Sequence, residues 1–205
     1  MQNKKICSRK KIIEVVKQLK KENKKIVFTN GCFDLLHIGH VSLFQKAKTL
    51  GDVLIVAINS DKSLAGLKGP KRPLVPQTDR TKLLAALSCI DYVVVFGEQT
   101  PYELLSKLKP DILVKGGDYK IQDIVGREFV KKVYRYPLVE GKSTTNLIKL
   151  IVQRYGKITK WFFCWMVEKL NLEKKFIRIL DTNLNRCKEG LRVVEDTCRF
   201  VFCDE

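Results

Sequence analysis

Histidine is nearly absent: the 205 residues contain only two. No C-x-x-C pair occurs among the seven cysteines, which fall at Cys7, Cys32, Cys89, Cys164, Cys187, Cys198 and Cys203. Their odd number and scattered spacing argue against a zinc ribbon or a dithiol redox motif, and suggest reduced thiols in a cytoplasmic protein. No apolar run can span a bilayer; the most apolar stretch, 158–167, is short and carries Lys160. A lysine-rich N-terminus is not followed by the apolar core of a secretory leader. Internal repeats and low-complexity tracts are also missing. Acidic residues are scarce, 22 against 39 Lys and Arg, for a net charge of +17.

Such a charge suits either nucleic acid or a solvated basic surface. Much of the excess is lysine along one helical segment, such as Lys10, Lys11, Lys17, Lys20 and Lys21, with no aromatic residues between to stack bases. A basic face that attracts small anionic substrates is the stronger reading, with no nucleic-acid partner and no membrane span. The length allows one good-sized domain, 1–155, plus an appendage, 156–205.

Hydrophobic periodicity predicts helices over 8–22, 40–50, 78–87, 101–108 and 144–155, and a short one over 127–132. Apolar runs predict strands over 25–29, 52–59, 92–96, 112–114 and 133–139. The Lys-, Gly- and Pro-rich stretch 61–76 reads as loop. Strand and helix alternate, so the expected fold is α/β: a Rossmann-like, doubly wound parallel sheet with a helical C-terminal appendage, ligands sitting at the carboxyl ends of the strands.

The two histidines, His37 and His40, share one loop between the first strand and the next helix. Helix starts offer unpaired N–H groups and a positive dipole end, which hold phosphate. Imidazoles beside such a site can donate to a phosphate whose charge grows during reaction. Metal ligation is the lesser alternative, because zinc wants three or four ligands and only Cys32 is near; no metal site is expected. Gly31 and Gly39 allow close backbone approach, and with Asn30 and Phe33 they are expected at the nucleotide. Lys68, Lys71 and Arg72 can close over phosphates. Ser143, Thr144 and Thr145 supply hydroxyls and N–H groups at another helix start. Asp34 and Asp61 can orient the loop or a magnesium ion.

The segments FTNGCFDLLHIGH, AINSD, LKGPKRP, VKGGDY and GKSTTNLIKLI, in that order, resemble the nucleotidyltransferase superfamily marked by an HxGH motif. Within it they are most similar to the D-glycero-β-D-manno-heptose 1-phosphate adenylyltransferases, the second domain of bifunctional heptose enzymes. The resemblance covers about residues 8–155. It implies ATP and heptose 1-phosphate as substrates, ADP-heptose and pyrophosphate as products on the route to lipopolysaccharide core, Mg²⁺ with the ATP, and a possible homodimer. By motif, His37 and His40 would stabilise the phosphates and Lys68 would neutralise them. Asn59, Asp61 and Arg80 match positions near the substrate or its loop. Gly116, Asp118 and Tyr119 match positions at the base and ribose, and Thr144 and Thr145 match positions at the nucleotide phosphates.

Only one helix precedes the first strand, so a separate heptose kinase is expected in the pathway. Residues of about 170–205 resemble the start of a kinase-like domain associated with thiamine phosphate synthases; a truncated fusion is expected there, with no function assigned. Two other readings stand beside the main one. A cytidylyltransferase acting on glycerol 3-phosphate or a similar alcohol phosphate shares the HxGH and STT elements. A tRNA- or RNA-binding module is the remote one, because His-Ile-Gly-His also marks class I aminoacyl-tRNA synthetases, whose lysine-rich second signature is missing here.

Overall fold

The computed structural model describes residues 4–117, 121–137 and 144–155. The chain divides into two units, Met1–Leu147 and Ile148–Glu205. The first holds a six-stranded parallel sheet in the order β1-β4-β3-β2-β5-β6. Its strands are β1 (Ile6–Cys7), β2 (Ile26–Gly31), β3 (Val53–Asn59), β4 (Tyr92–Phe96), β5 (Ile112–Gly116) and β6 (Lys132–Tyr136). The helices are α1 (Arg9–Lys21), α2 (Ile38–Lys48), α3 (Asp61–Lys68), α4 (Gln77–Ala86), α5 (Tyr102–Leu108) and α6 (Thr144–Tyr155), the last of which runs on into the second unit.

The central strands are apolar on both faces, as a covered parallel sheet requires. Along β2, Ile26 and Phe28 join one core with Ile12 and Val16 of α1 and Leu104, Leu105 and Leu108 of α5. Val27, between them, joins the other core with Leu43, Phe44 and Ala47 of α2 and Leu84 and Ala85 of α4. The period-two alternation continues in β3, where Ile55 and Ala57 face one layer and Leu54, Val56 and Ile58 the other.

Carboxylates close the strand starts. Asp52 accepts from Lys25 N at 2.7 Å, Asp111 from Ile26 N at 2.9 Å and Asp91 from Leu54 N at 2.7 Å. Lys20 Nζ donates to the carbonyls of Leu108 and Lys109, at 2.8 and 2.7 Å, at the end of α5. Some of the lysine excess therefore satisfies a helix C-terminus.

The expected elements are present within a few residues, with three differences. Residues 61–68, expected as loop, form α3: Ser60 accepts from Ser63 N as its cap, Asp61 lies in its first turn, and Leu64 is its buried anchor. The loop therefore begins at Gly69, whose φ of 95° suits glycine. The expected helix at 127–132 is a single tight turn, Arg127–Phe129, and Lys132 already begins β6. A two-residue edge strand, β1, pairs with β4; it is too short for an alternating pattern to reveal. Residues 138 and 139, expected in the last strand, lie outside the described residues, as does the 156–205 appendage.

Candidate active site

β3 and β4 lie on one side of β2 and β5 and β6 on the other, so the topological switch falls between β2 and β5. Crevices open at the carboxyl ends of strands at such a point. A cleft of about 570 Å³ lies there, lined by the loop after β2, the end of β3, the second half of α3, the loop after β4, the end of β5 and the start of α6.

α2 begins at His37 with no capping side chain and no acidic residue in its first turn. α1 and α3, in contrast, are capped by Ser8 and Ser60. The N–H groups of Ile38 and Gly39 at this start are therefore available to an anion, whereas that of His40 donates to His37 O at 2.9 Å. His37 and His40 stand at this start with their rings stacked, centroids 3.7 Å apart and planes at 27°. Phe33 meets His40 edge-on at 5.1 Å and Phe44 at 5.0 Å. It does so at a φ of 45°, a conformation uncommon for a bulky residue. A side chain at Gly31 would put its Cβ 2.9 Å from Phe33 Cζ, so this glycine makes room for the ring that braces His40. Gly31, Phe33 and Gly39, which were expected at the nucleotide, all line the cleft; the bracing is what the structure adds.

Burial lowers the pKa of both imidazoles. That of His40 falls to about 4, burial being the main cause and the charge of His37 the lesser one. Both Nδ1 atoms are buried without a hydrogen-bond partner. At neutral pH the pair is uncharged, and each ring can donate through one N–H.

Lys68, at the end of α3, and Arg72 line the cleft, whereas Lys71 is exposed and is not among its lining residues. Asp34 is 4% exposed and spends its carboxylate on the loop after α3. Its Oδ1 accepts from Leu74 N at 2.9 Å and Val75 N at 2.8 Å, and its Oδ2 pairs with Arg72 at 3.0 Å. Asp61 accepts from Gln77 N at 2.8 Å and pairs with Arg80 at 2.7 Å. Of the two roles expected for these carboxylates, their contacts match loop orientation.

Arg80, expected near the substrate, has no exposed surface. It donates to the carbonyls of Cys32 at 2.6 Å, Val75 at 2.9 Å and Asn59 at 3.0 Å, and so clamps three segments from beneath the cleft. Asn59 is also buried; its Nδ2 donates to Ser63 Oγ at 2.9 Å. Burial pushes the neighbouring Cys32 thiol up in pKa, which keeps it protonated and unreactive. Asn30 accepts from Lys115 Nζ at 2.5 Å, a tie from β2 to β5 across the switch. Gly116, Thr144 and Thr145 line the cleft, and Thr144 Oγ1 reaches Leu35 O at 3.4 Å. Asp118, Tyr119 and Ser143 lie outside the described residues.

Sequence reasoning gave no role to Lys115, although it lies in the VKGGDY segment, and did not single out Gln99, Thr100, Asp123 or Tyr136; all of them line the cleft. Lys115 carried a signal: it is a charged residue ending an apolar strand beside Gly116, and it is only 9% exposed. The others had none, because strand order alone brings their loops to this rim.

A family model described as Cytidylyltransferase-like matches residues 28–184, and a model of the ThiD2 family matches 178–205, within the segment where the second resemblance was read. Two similar curated proteins are each named Bifunctional protein HldE. The one from Syntrophotalea carbinolica is 53% identical over 155 residues, 74% of this chain and 32% of that protein. The one from Nitratiruptor sp. is 59% identical over 138 residues, 67% of this chain and 30% of that protein. The chain thus spans about a third of the length of these relatives. A crystal structure of the lipopolysaccharide core biosynthesis protein from Thermoplasma volcanium GSS1 is 26% identical, covering 57% of this chain and 97% of that one with a TM-score of 0.47.

Proposed function

The chain belongs to the cytidylyltransferase-like family, and from that premise we propose that it transfers AMP from ATP to D-glycero-β-D-manno-heptose 1-phosphate, giving ADP-heptose and pyrophosphate for lipopolysaccharide core synthesis. The observation that carries the chemistry is the pair of stacked, uncharged imidazoles at an uncapped helix start. The choice of ATP and a heptose phosphate rests on the VKGGDY and STTNLIK segments and on the likeness to the bifunctional relatives.

The nucleotide phosphates lie over the start of α2. An oxygen of the acceptor phosphate attacks the α-phosphorus, and pyrophosphate leaves in line. The acceptor is a phosphate monoester with a second pKa of about 6, so it is already largely ionised at neutral pH and requires no general base. The protein's work is orientation and charge stabilisation. His37 and His40, neutral before substrate arrives, donate N–H groups to oxygens whose negative charge grows in the transition state. Lys68 and Arg72 balance the charge of the departing pyrophosphate. Mg²⁺ enters with ATP as part of the substrate. Asp34 and Asp61 have oxygens already engaged with backbone N–H groups and arginines, and among the described residues no three His, Cys, Asp or Glu side chains cluster to hold a metal alone. The same reading puts a kinase step upstream to supply the sugar 1-phosphate, a cytoplasmic location and a homodimer in solution.

Pyrophosphate release tests it, with ATP or CTP, each with Mg²⁺, against heptose 1-phosphate or glycerol 3-phosphate. Turnover confined to ATP and heptose 1-phosphate is the expected result; preference for CTP and glycerol 3-phosphate would replace it with the alcohol-phosphate cytidylyltransferase reading. His37→Ala and His40→Ala should each lower kcat by about 10²–10³, the scale of one lost oxyanion donor. A folded variant with undiminished kcat would overturn the role given to that histidine.

A further inference from the structure

The cleft changes character along the sheet edge. Its middle is cationic, with Lys68 and Arg72 beside the histidines. Over the ends of β3 and β4, Gln99 and Thr100 of the β4–α5 loop line it together with Leu64 and Leu67 of α3, four uncharged side chains.

This loop is held from three directions. Ser60 N donates to Phe96 O at 2.8 Å, where the loop leaves β4. Ser63 Oγ donates to Glu98 O at 2.7 Å, and that hydroxyl is itself fixed by Asn59 Nδ2. From the outer side, Arg9 pairs with the carboxylates of Glu98 and Glu103. The backbone of Gln99 and Thr100 is therefore seated before any ligand arrives, whereas their side chains have no hydrogen-bond partner among the described residues. An anchored loop presenting an unengaged amide and hydroxyl to a cleft is preorganised for uncharged polar groups.

We infer that Gln99 and Thr100 are specificity-determining residues that read the hydroxyl groups of a polyhydroxylated acceptor phosphate. The inference rests on the proposed sugar-phosphate acceptor. The acceptor's phosphate belongs with the cations and imidazoles. Its neutral remainder extends over β3 and β4, because the end of β5 and the start of α6 are the parts that the resemblance assigns to the nucleotide. An amide and a hydroxyl match sugar hydroxyls as donors and acceptors, and the two leucines offer an apolar wall to the C–H face of the ring. A small alcohol phosphate would scarcely reach this end.

The test is steady-state kinetics of the whole chain as wild type, Gln99→Ala and Thr100→Val, with MgATP and either heptose 1-phosphate or glycerol 3-phosphate. Each substitution should raise KM for heptose 1-phosphate about three- to tenfold, the worth of one neutral hydrogen bond. KM for ATP should not change, nor should any residual rate with glycerol 3-phosphate. If both side chains meet only water, KM for heptose 1-phosphate will stay at the wild-type value, and the inference falls while the adenylyltransferase reading stands. An equal loss with both acceptors, or a parallel rise in KM for ATP, would also overturn it. A wild-type protein inactive on heptose 1-phosphate would refute the functional reading and this inference with it.

Discussion

Replacing Arg80 with methionine tests whether the clamp beneath the cleft holds the site together. Methionine keeps most of the volume and removes every donor. The guanidinium is fully buried and serves three main-chain carbonyls, those of Cys32, Asn59 and Val75, besides the Asp61 carboxylate. A buried acceptor left without its donor costs about 1–3 kcal/mol. The three losses will not add fully, because the carbonyls share one donor group and water can reach Asp61, whose side chain is 39% exposed. The net should resemble a broken buried ion pair, about 3–5 kcal/mol. Against a domain stability of about 5–15 kcal/mol this is a large fraction. With a urea m-value of about 2 kcal/mol/M, the unfolding midpoint should fall by roughly 2 M. Arg80→Lys should fall between wild type and Met, since one ammonium lacks the planar fork that reaches several acceptors at once. Urea titration followed by far-ultraviolet circular dichroism reads both variants. Where Arg80→Met remains folded, its kcat should also drop, because the Cys32–Phe33 segment that braces His40 loses its anchor. A midpoint within about 0.3 M of wild type would show that the clamp carries little of the load.

The pH dependence follows from His40. Its pKa is about 4 when folded against an ordinary 6.5, so the unfolded chain takes up the proton first. Stability should be full above pH 6.5 and decline as pH falls towards 4, by up to about 3 kcal/mol from this group. Urea midpoints across that range should fall less steeply for His40→Asn than for wild type, and parallel slopes would refute the assignment. Asp34→Asn should lower the thermal midpoint, costing about 2–4 kcal/mol by leaving Arg72 facing an amide, and should raise KM for ATP; a wild-type melting curve with unchanged KM would count against the loop tie. Gly51→Ala should destabilise by about 1–3 kcal/mol, because its Cβ would sit 2.7 Å from Lys25 O and Val27 Cγ2. Gly66→Ala, with open space around it in α3, should instead stabilise by about 0.5–1 kcal/mol; thermal melts giving the reverse order would contradict the packing described.

Most of the scaffold was legible because its signals are local. The run Val53–Asn59 is apolar throughout and forms the fully buried β3. The spacing of Ile12 and Val16 marks the buried face of α1. α3 escaped because its burial amounts to Ser63 and Leu64, too little for a stripe amid Lys, Gly and Pro. The site was legible where a motif is contiguous, as at His37 to His40. It was not legible at Gln99 or Tyr136, which reach the cleft from separate strands. Asp34 was noticed for its chemistry and Arg80 through the family resemblance, but their partners lie in segments up to 48 residues away along the chain.

The order of residues alone determined the alternating α/β architecture, the helix start carrying His37 and His40, and the family to which they point, because hydrophobic period and motif spacing act over a few residues. Tertiary structure decided what the charged residues do. Burial lowered the pKa of both imidazoles, and backbone N–H groups and arginines claimed the carboxylates of Asp34 and Asp61. Arg80 became an internal clamp, and the loop after β4 came to the rim of the cleft. Desolvation and hydrogen-bond partnership depend on which distant segments meet, and that is known only once the sheet has assembled.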